Sequence, residues 1–275
     1  MITHLSPQDA LAPVERGETL VLDVRSPGEY ARLGHIPGSW LLPLDLVASA
    51  PAVLPADGRP ILVCCEHGLR SVAAVRFLEQ AGIAGLVNLT GGMAAWQGPR
   101  VHGPGPIQGP SPWLLEHANL LTPRGRVLDV AAGRGRHALL LAAAGFAVTA
   151  VDRDPRALAF IRDTASRLDL AVETVERDLE AGDVDLGDAA YDVVLVCHYL
   201  HRPLFPALVR AVAPGGVLVY ETFTLAQASR GRPTNPDYLL RPGELPTLAA
   251  PLEIVREREG EIDGAVKAAV VARRA

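Results

Sequence analysis

The sequence predicts an α/β protein of two domains, each organised around a mostly parallel β-sheet, the second closing on a β-hairpin. Three observations carry this expectation. Short apolar runs alternate with stretches of helical spacing in both halves of the chain. A Gly/Pro-rich segment interrupts the alternation about a third of the way along. At the C-terminal end, two strand-like runs flank Asp263-Gly264, a pair that favours a tight hairpin turn. A length of 275 residues suits two domains, and with 49% apolar residues each half can bury its own core.

Taken in order, Thr19–Val24 and Pro60–Cys65 read as buried strands, Ser71–Ala81 as a helix ended by Gly82, and Leu86–Leu89 as a further strand. Residues 97–112 (QGPRVHGPGPIQGPSP) are more than half Gly or Pro. Proline lacks the backbone donor and glycine costs too much entropy for such a stretch to hold a helix or central strand. The domains are therefore expected at 1–98 and 113–275, joined by a linker at 99–112. Downstream, strands are predicted at Arg126–Ala131, Ala147–Asp152, Val172–Arg177, Asp192–Cys197 and Gly216–Phe223. Helices are predicted at His137–Ala144, Pro155–Leu168 and Pro203–Val212, and the hairpin at Leu252–Ile262 and Ala265–Arg273.

The net charge of −5 argues against a broad grip on nucleic acid or acidic lipid. Three cysteines, two of them adjacent, do not make a disulfide framework and read as reduced thiols. The opening Met1-Ile2-Thr3-His4 lacks the regions of a signal peptide, and no apolar run reaches the roughly 18 to 20 residues that span a bilayer. A soluble cytoplasmic protein is the expectation.

In the first domain, Cys65-Glu66-His67-Gly68-Leu69-Arg70-Ser71 joins a buried strand to a helix. A cysteine there sits among free backbone N–H groups at a helix start, which with Arg70 favour the nucleophilic thiolate. Gly68 lets the loop fold tightly enough for its amides to converge. Cys64 reads as a small core residue. The spacing from Cys64 to Arg70 also satisfies the C-x5-R of phosphatases. Several motifs in sequence, Asp23-Val24-Arg25, Glu29-Tyr30, Gly34-His35-Ile36-Pro37-Gly38-Ser39, the Cys65–Ser71 loop and Leu89-Thr90-Gly91-Gly92 with Trp96, resemble the rhodanese signature over roughly residues 1–98. The resemblance implies sulfane sulfur transfer. Cys65 would attack a donor such as thiosulfate and carry a persulfide, the loop Glu66, His67, Gly68, Leu69 and Ser71 would enclose it, and Arg70 would stabilise the anion. Asp23, Arg25 and His35 would brace the loop.

In the second domain, Val127–His137 reads as strand, Gly-rich turn and helix start, with Gly133 and Gly135 allowing close backbone approach to a ligand. Asp152 ends the next strand about 20 residues on, where a carboxylate can accept the hydroxyls of a ribose. Dinucleotide binding competes with this reading. Against it stand Asp129 just before the turn and a terminal hairpin in place of a second mononucleotide half. Asp129-x-Ala131-x-Gly133-x-Gly135 with Asp152 resembles the cofactor site of class I methyltransferases, a Rossmann-like fold whose seven-stranded sheet ends in a β-hairpin. The resemblance implies S-adenosyl-L-methionine as cofactor, with Asp152 at the ribose, Asp178 or Leu179 beside the adenine, and Arg153 and Cys197 as further cofactor contacts. His137 replaces the motif's third glycine. The Tyr199–Pro203 run and the Arg232–Leu245 segment are similar to small bacterial methyltransferases of the tellurite-resistance group. Candidate substrate contacts are His198, Tyr199, Arg202, Tyr220, Glu221, Arg232 and Asn235, with His201 as the candidate base. No closed zinc spacing is present and no metal is expected.

A sulfur-charging domain beside a methylating one suggests a small methyl acceptor, either a reduced sulfur species or a related chalcogen. A small sulfur donor is the other expected partner, with no membrane and no nucleic acid. Two other readings stay open: a tRNA-modifying enzyme, and a methyltransferase gated by a sulfur-sensing rhodanese module.

Overall fold

The structure is a computed structural model that describes residues 2–47, 54, 58–103, 110–262 and 264–275. Two compact units make up the chain, one on a five-stranded sheet and one on a seven-stranded sheet. Among the described residues no helix is long and apolar enough to cross a membrane.

The first unit runs β1 (Thr3–Leu5), α1 (Pro7–Glu15), β2 (Leu20–Asp23), α2 (Pro27–Leu33), β3 (Trp40–Leu41), α3 (Leu44–Val47), β4 (Ile61–Cys64), α4 (Leu69–Gln80), β5 (Leu86–Leu89) and α5 (Gly92–Ala95). Its strands are all parallel, in the order β1-β5-β4-β2-β3. β2 and β4 are buried along their whole length, as a sheet covered on both faces requires. One apolar cluster joins Val21, Leu62, Cys64, Leu89, Met93 and Trp96, so Cys64 is a core residue. The sequence reading lacked β1, β3 and the first helices, which are short and carry little periodicity. α4 starts at Leu69, two residues before the prediction, because Gly68 rather than Arg70 caps it.

The predicted linker has its centre, residues 104–109, outside the described residues. Its first residues are held by the first unit: Val101 and His35 exchange two backbone hydrogen bonds of 2.9 Å. A short α6 (Pro112–Glu116) follows.

Beyond α6 the chain forms β6 (Arg126–Val130), α7 (Arg136–Ala143), β7 (Ala147–Asp152), α8 (Pro155–Arg167), β8 (Val172–Glu176), β9 (Tyr191–Cys197), α9 (Phe205–Ala211), β10 (Val212–Phe223), α10 (Glu244–Leu248), β11 (Glu253–Ile262) and β12 (Ala265–Arg273). The sheet order is β11-β12-β10-β9-β6-β7-β8, with β12 antiparallel to both of its neighbours. This is the predicted Rossmann-like arrangement with a terminal hairpin; Asp263 of its turn lies outside the described residues. Between β8 and β9 the chain crosses without a helix. The parallel strands are built from Val, Leu and Ala runs, and β6, β9 and β10 lie almost wholly inside. The order reverses between β6 and β9, which opens a crevice at the strands' carboxyl ends.

Candidate functional sites

Cys65 follows β4 directly and is buried. The chain turns through Glu66, His67 and Gly68 into α4, whose first N–H groups have no helical acceptor. Two of these amides reach the sulfur. Gly68 N–H donates to Cys65 Sγ at 3.2 Å and Ser71 N–H at 3.3 Å, with the Ser71 hydroxyl at 3.4 Å. Behind the loop, Met93 N–H donates to the Cys65 carbonyl at 2.7 Å and Ala94 N–H to the Glu66 carbonyl at 2.8 Å. The amides therefore face the sulfur and the carbonyls face away. That approach depends on Gly92, which sits at φ +62°, where a Cβ would lie 2.3 Å from the Cys65 carbonyl oxygen.

A buried ionic network fixes the loop. Arg25, wholly buried, forks onto Asp23 at 2.7 and 3.0 Å and donates to the Gly34 carbonyl at 2.8 Å and the Glu66 carboxylate at 2.7 Å. Burial opposes the Arg25 charge, and its hydrogen bonds to Asp23 and Glu66 outweigh that. Glu66 thus braces the loop from within. His35 stacks on the Tyr30 ring at 3.6 Å and stays in the supporting layer. Arg70, predicted to stabilise the sulfur anion, pairs with Glu29 at 2.8 Å, which holds that carboxyl at about 2, and it also feels the Cys65 sulfur electrostatically. The reason is local: Glu29 closes the capping box of α2 with Ser26 and presents its carboxylate at that point. His67 and Leu69 are exposed. Burial pushes the Cys64 thiol well up, in keeping with its place in the core.

In the second unit, a cavity of about 380 Å³ opens at the crevice between β6 and β9, walled by Ala131, Asp152, Arg153, Asp178, Leu179, His198 and Tyr199. Sequence reasoning placed all seven at the site. Pro233 and Tyr238, from the 232–245 segment expected over the strand ends, also line it; Glu180, Thr222 and Phe223 line it too and were not anticipated, since no local motif marks them. Gly133 N–H donates to Asp152 Oδ2 at 2.7 Å and Asp154 N–H to Oδ1 at 2.9 Å, so the carboxylate is fixed at the wall. Gly133 holds φ +54°, and a Cβ there would enter open space. Gly135 is different: a Cβ would strike Ile161 of α8 at 2.6 Å, so this glycine serves packing. Asp129 is buried, accepts the Ala138 N–H at 3.1 Å and is pushed by burial up to about 7. It holds the junction of loop and helix.

Other candidates lie apart from the cavity. His201 precedes the 3-10 turn Arg202–Leu204 and does not line it. Arg202 forks onto Glu244 at 2.7 and 2.8 Å and donates to the Asp237 and Leu239 carbonyls at 3.1 and 2.9 Å. Asn235 caps the turn Pro236–Tyr238, and Arg232 is exposed, with its carbonyl accepting from Gln227. These three shape the segment that brings Pro233 and Tyr238 to the cavity. Tyr220 is buried, its hydroxyl donating to the Tyr199 carbonyl at 2.8 Å.

Around His198 the structure assembles groups from five elements. His198 adopts a left-handed backbone, φ 58°, rare for a residue with a side chain. Its Nε2 is 3.6 Å from Glu221 Oε1, and its ring lies 4.8 Å from that of Phe223. Glu221 is buried, with Lys267 Nζ at 3.3 Å and the Arg258 guanidinium at 4.0 Å. Burial works to raise the Glu221 carboxyl; His198 and Lys267 outweigh it and leave it at about 2. Arg136 donates to Cys197 Sγ at 3.1 Å and faces His198 Nδ1 at 3.4 Å. Burial pushes the Cys197 thiol up to about 12, so it stays protonated. Cys197, His198 and Glu221 bring donor atoms within 4.8 Å of one another. The cations on Cys197 and Glu221 make this cluster an ion-pair network.

Two family models match the chain: Rhodanese-like domain over residues 6–99 and Methyltransferase domain over residues 127–216. A sulfurtransferase of Allochromatium vinosum is 37% identical over 79 residues, 29% of this chain and 72% of that one. The thiosulfate sulfurtransferase GlpE of Pseudoalteromonas translucida is 31% identical over 94 residues, 34% of this chain and 88% of that one. The probable S-adenosyl-L-methionine-dependent methyltransferase TehB of Haemophilus influenzae is 27% identical over 100 residues, 35% of this chain and 34% of that protein, so this likeness spans about a third of its length. The Cys65 loop falls within the first matched region and the Gly133 turn within the second. The chain belongs, through its N-terminal domain, to the rhodanese-like sulfurtransferases, and it carries a methyltransferase domain behind that one.

Proposed function

We propose that the protein carries sulfane sulfur as a persulfide on Cys65 and transfers methyl groups from S-adenosylmethionine to a small acceptor, a reduced sulfur species or related chalcogen. The observation that carries the sulfur half is the pair of amides, Gly68 and Ser71, aimed at Cys65 Sγ. The Cys65 thiolate attacks the sulfane sulfur of a donor such as thiosulfate. A new S–S bond forms, the donor's S–S bond breaks, and sulfite leaves with the electron pair. An acceptor nucleophile then takes the outer sulfur and restores the thiolate. Fixed backbone dipoles stabilise the anion at each stage with no reorganisation.

S-adenosylmethionine, the cofactor of the second half, supplies an electrophilic methyl group on a sulfonium. The residues present fit it. Gly133 leaves open space for a ligand against the backbone, and Asp152 is held where it can accept ribose hydroxyls. Asp178 and Leu179 border the adenine end, and the buried Tyr199 hydroxyl has no protein partner among the described residues and faces the same cavity.

The test compares wild type and Cys65→Ser in two assays: sulfur release from thiosulfate, and S-adenosylhomocysteine formation with sulfide, small thiols, reduced selenium or tellurium, and tRNA as acceptors. Loss of sulfur transfer by at least about a thousandfold is expected. Methylation of added sulfide should persist, and methylation driven by thiosulfate should disappear. Turnover stimulated by tRNA alone would refute the reading.

A further inference from the structure

This inference rests on the methyltransferase reading and names the acceptor that site takes. We infer that His198 and Arg136 form an acceptor subsite for a small acidic nucleophile of the thiol or hydrochalcogenide class, with His198 as the base and Glu221 as the residue that positions it.

The two nitrogens of the histidine meet opposite charges. Nε2 faces the buried, ionised Glu221, 3.6 Å away, and is therefore the protonated nitrogen. Nδ1 then carries the lone pair, and the group opposite it is the Arg136 guanidinium at 3.4 Å. Arg136 touches the neutral Cys197 thiol and the His198 ring; Asp129 is the carboxyl group that feels its charge, and among the described residues no carboxylate forms an ion pair with it. A basic lone pair beside a cation with no close carboxylate, joined only by a contact at the limit of hydrogen-bond length, fits an acid X–H that displaces this contact and touches both groups. The proton goes to Nδ1, and the pair left on X stays against the guanidinium. That pair then forms the bond to the methyl carbon, while the donor's carbon–sulfur bond breaks and its pair remains on the donor sulfur. An amine or alcohol gains little here, because neither reaches the arginine as an anion.

The surroundings support the assignment. His198 lines the cavity and Arg136 opens α7 directly after the Gly133–Gly135 turn, so both stand at the switch point of the sheet. The groups facing His198 from neighbouring elements are Arg136 and His137 on α7, Cys197 on β9, and Glu221 on β10. Lys267 on β12 and Arg258 on β11 lie behind, against Glu221. Glu221 balances an imidazolium when one forms, and Lys267 keeps Glu221 charged in its buried position. Cys197 stays a neutral thiol and does not compete for the methyl group. The left-handed backbone of His198 is local strain held by its neighbours, of the kind that collects at functional sites.

The experiment uses the full chain, with S-adenosylhomocysteine binding followed by calorimetry beside methyl transfer to sulfide, to thiols of graded acidity and to a small amine. His198→Asn suits the test because asparagine tolerates the left-handed backbone. The variant should bind S-adenosylhomocysteine as wild type does and lose about a hundredfold in turnover of weakly acidic thiols. Its rate should climb with pH as free thiolate accumulates, and the loss should shrink for the most acidic thiol. Arg136→Gln should raise KM for thiols about tenfold, and it carries the test if His198→Asn fails to bind the product. Wild-type rates in either variant with product binding intact, or methylation of the amine in preference to thiols, would overturn the inference. No binding of S-adenosylhomocysteine by wild type would instead remove the methyltransferase reading beneath it.

Discussion

Cys65 and Cys197 occupy matching places: one directly follows a central parallel strand, the other ends one, and both lie at the carboxyl edge where α/β sheets put their chemistry. Their surroundings are opposite. After Cys65 the chain enters a helix within four residues, and backbone amides converge on the sulfur. After Cys197 comes a left-handed histidine, and the groups that reach the sulfur are side chains, Arg136 at 3.1 Å and Glu221 at 3.8 Å. The first arrangement is a fixed cradle of dipoles, suited to an anion that stays on the protein. The second keeps a protonated thiol in a charged network around a cavity, suited to a ligand that comes and goes. The chain just beyond each cysteine, more than the cysteine itself, decides which chemistry the strand end performs.

The glycines of the two loops sharpen the contrast. Gly92→Ala forces a Cβ against the Cys65 carbonyl at a left-handed backbone position. It should cost about 3 kcal/mol in chemical denaturation of the first unit, with sulfur transfer falling in step. Gly133→Ala has the same backbone sign but open space around it, so only the conformational cost of about 1 kcal/mol applies. Its effect should appear instead in calorimetry, as S-adenosylhomocysteine binding weakened by about tenfold. A large stability loss at Gly133, or none at Gly92, would break the distinction between a packed cradle and an open one.

The smallest expected effect concerns Asp129. Its carboxyl sits at about 7 in the folded protein, against 3.8 for the free group, because it is buried. Between those values the folded state binds more protons than the unfolded state, so stability falls as pH rises from about 4 to about 7. Asp129→Asn can still accept the Ala138 N–H, and it should flatten that part of the Tm-against-pH curve. An unchanged slope would show that Asp129 is already ionised in the folded protein across that range.

The alternation of apolar strand runs and helices was legible because the central strands are buried on both faces and the longer helices keep their period. Val127–Asp152 illustrates it: strand, turn, helix and strand all lie within two residues of the expected bounds. The Cys65 loop was legible for a related reason, since its donors come from the next few residues of the chain. The ion pair of Arg70 was not legible because its partner Glu29 is 41 positions away, and its pull depends on how α2 is capped. His198 lines the cavity and His201 does not, a difference the sequence does not show because it rests on the left-handed backbone at His198.

By itself, then, the sequence determined what short-range physics controls: the strands, the Gly-rich turns, the hairpin, and the thiol among amides. Only the tertiary structure decided which charges meet. Arg136 with His198, Glu221 with Lys267, and Arg25 with Glu66 are separated by 62, 46 and 41 positions. Coulomb forces act on distance in space, and that distance exists only once the sheet has brought its strand ends together.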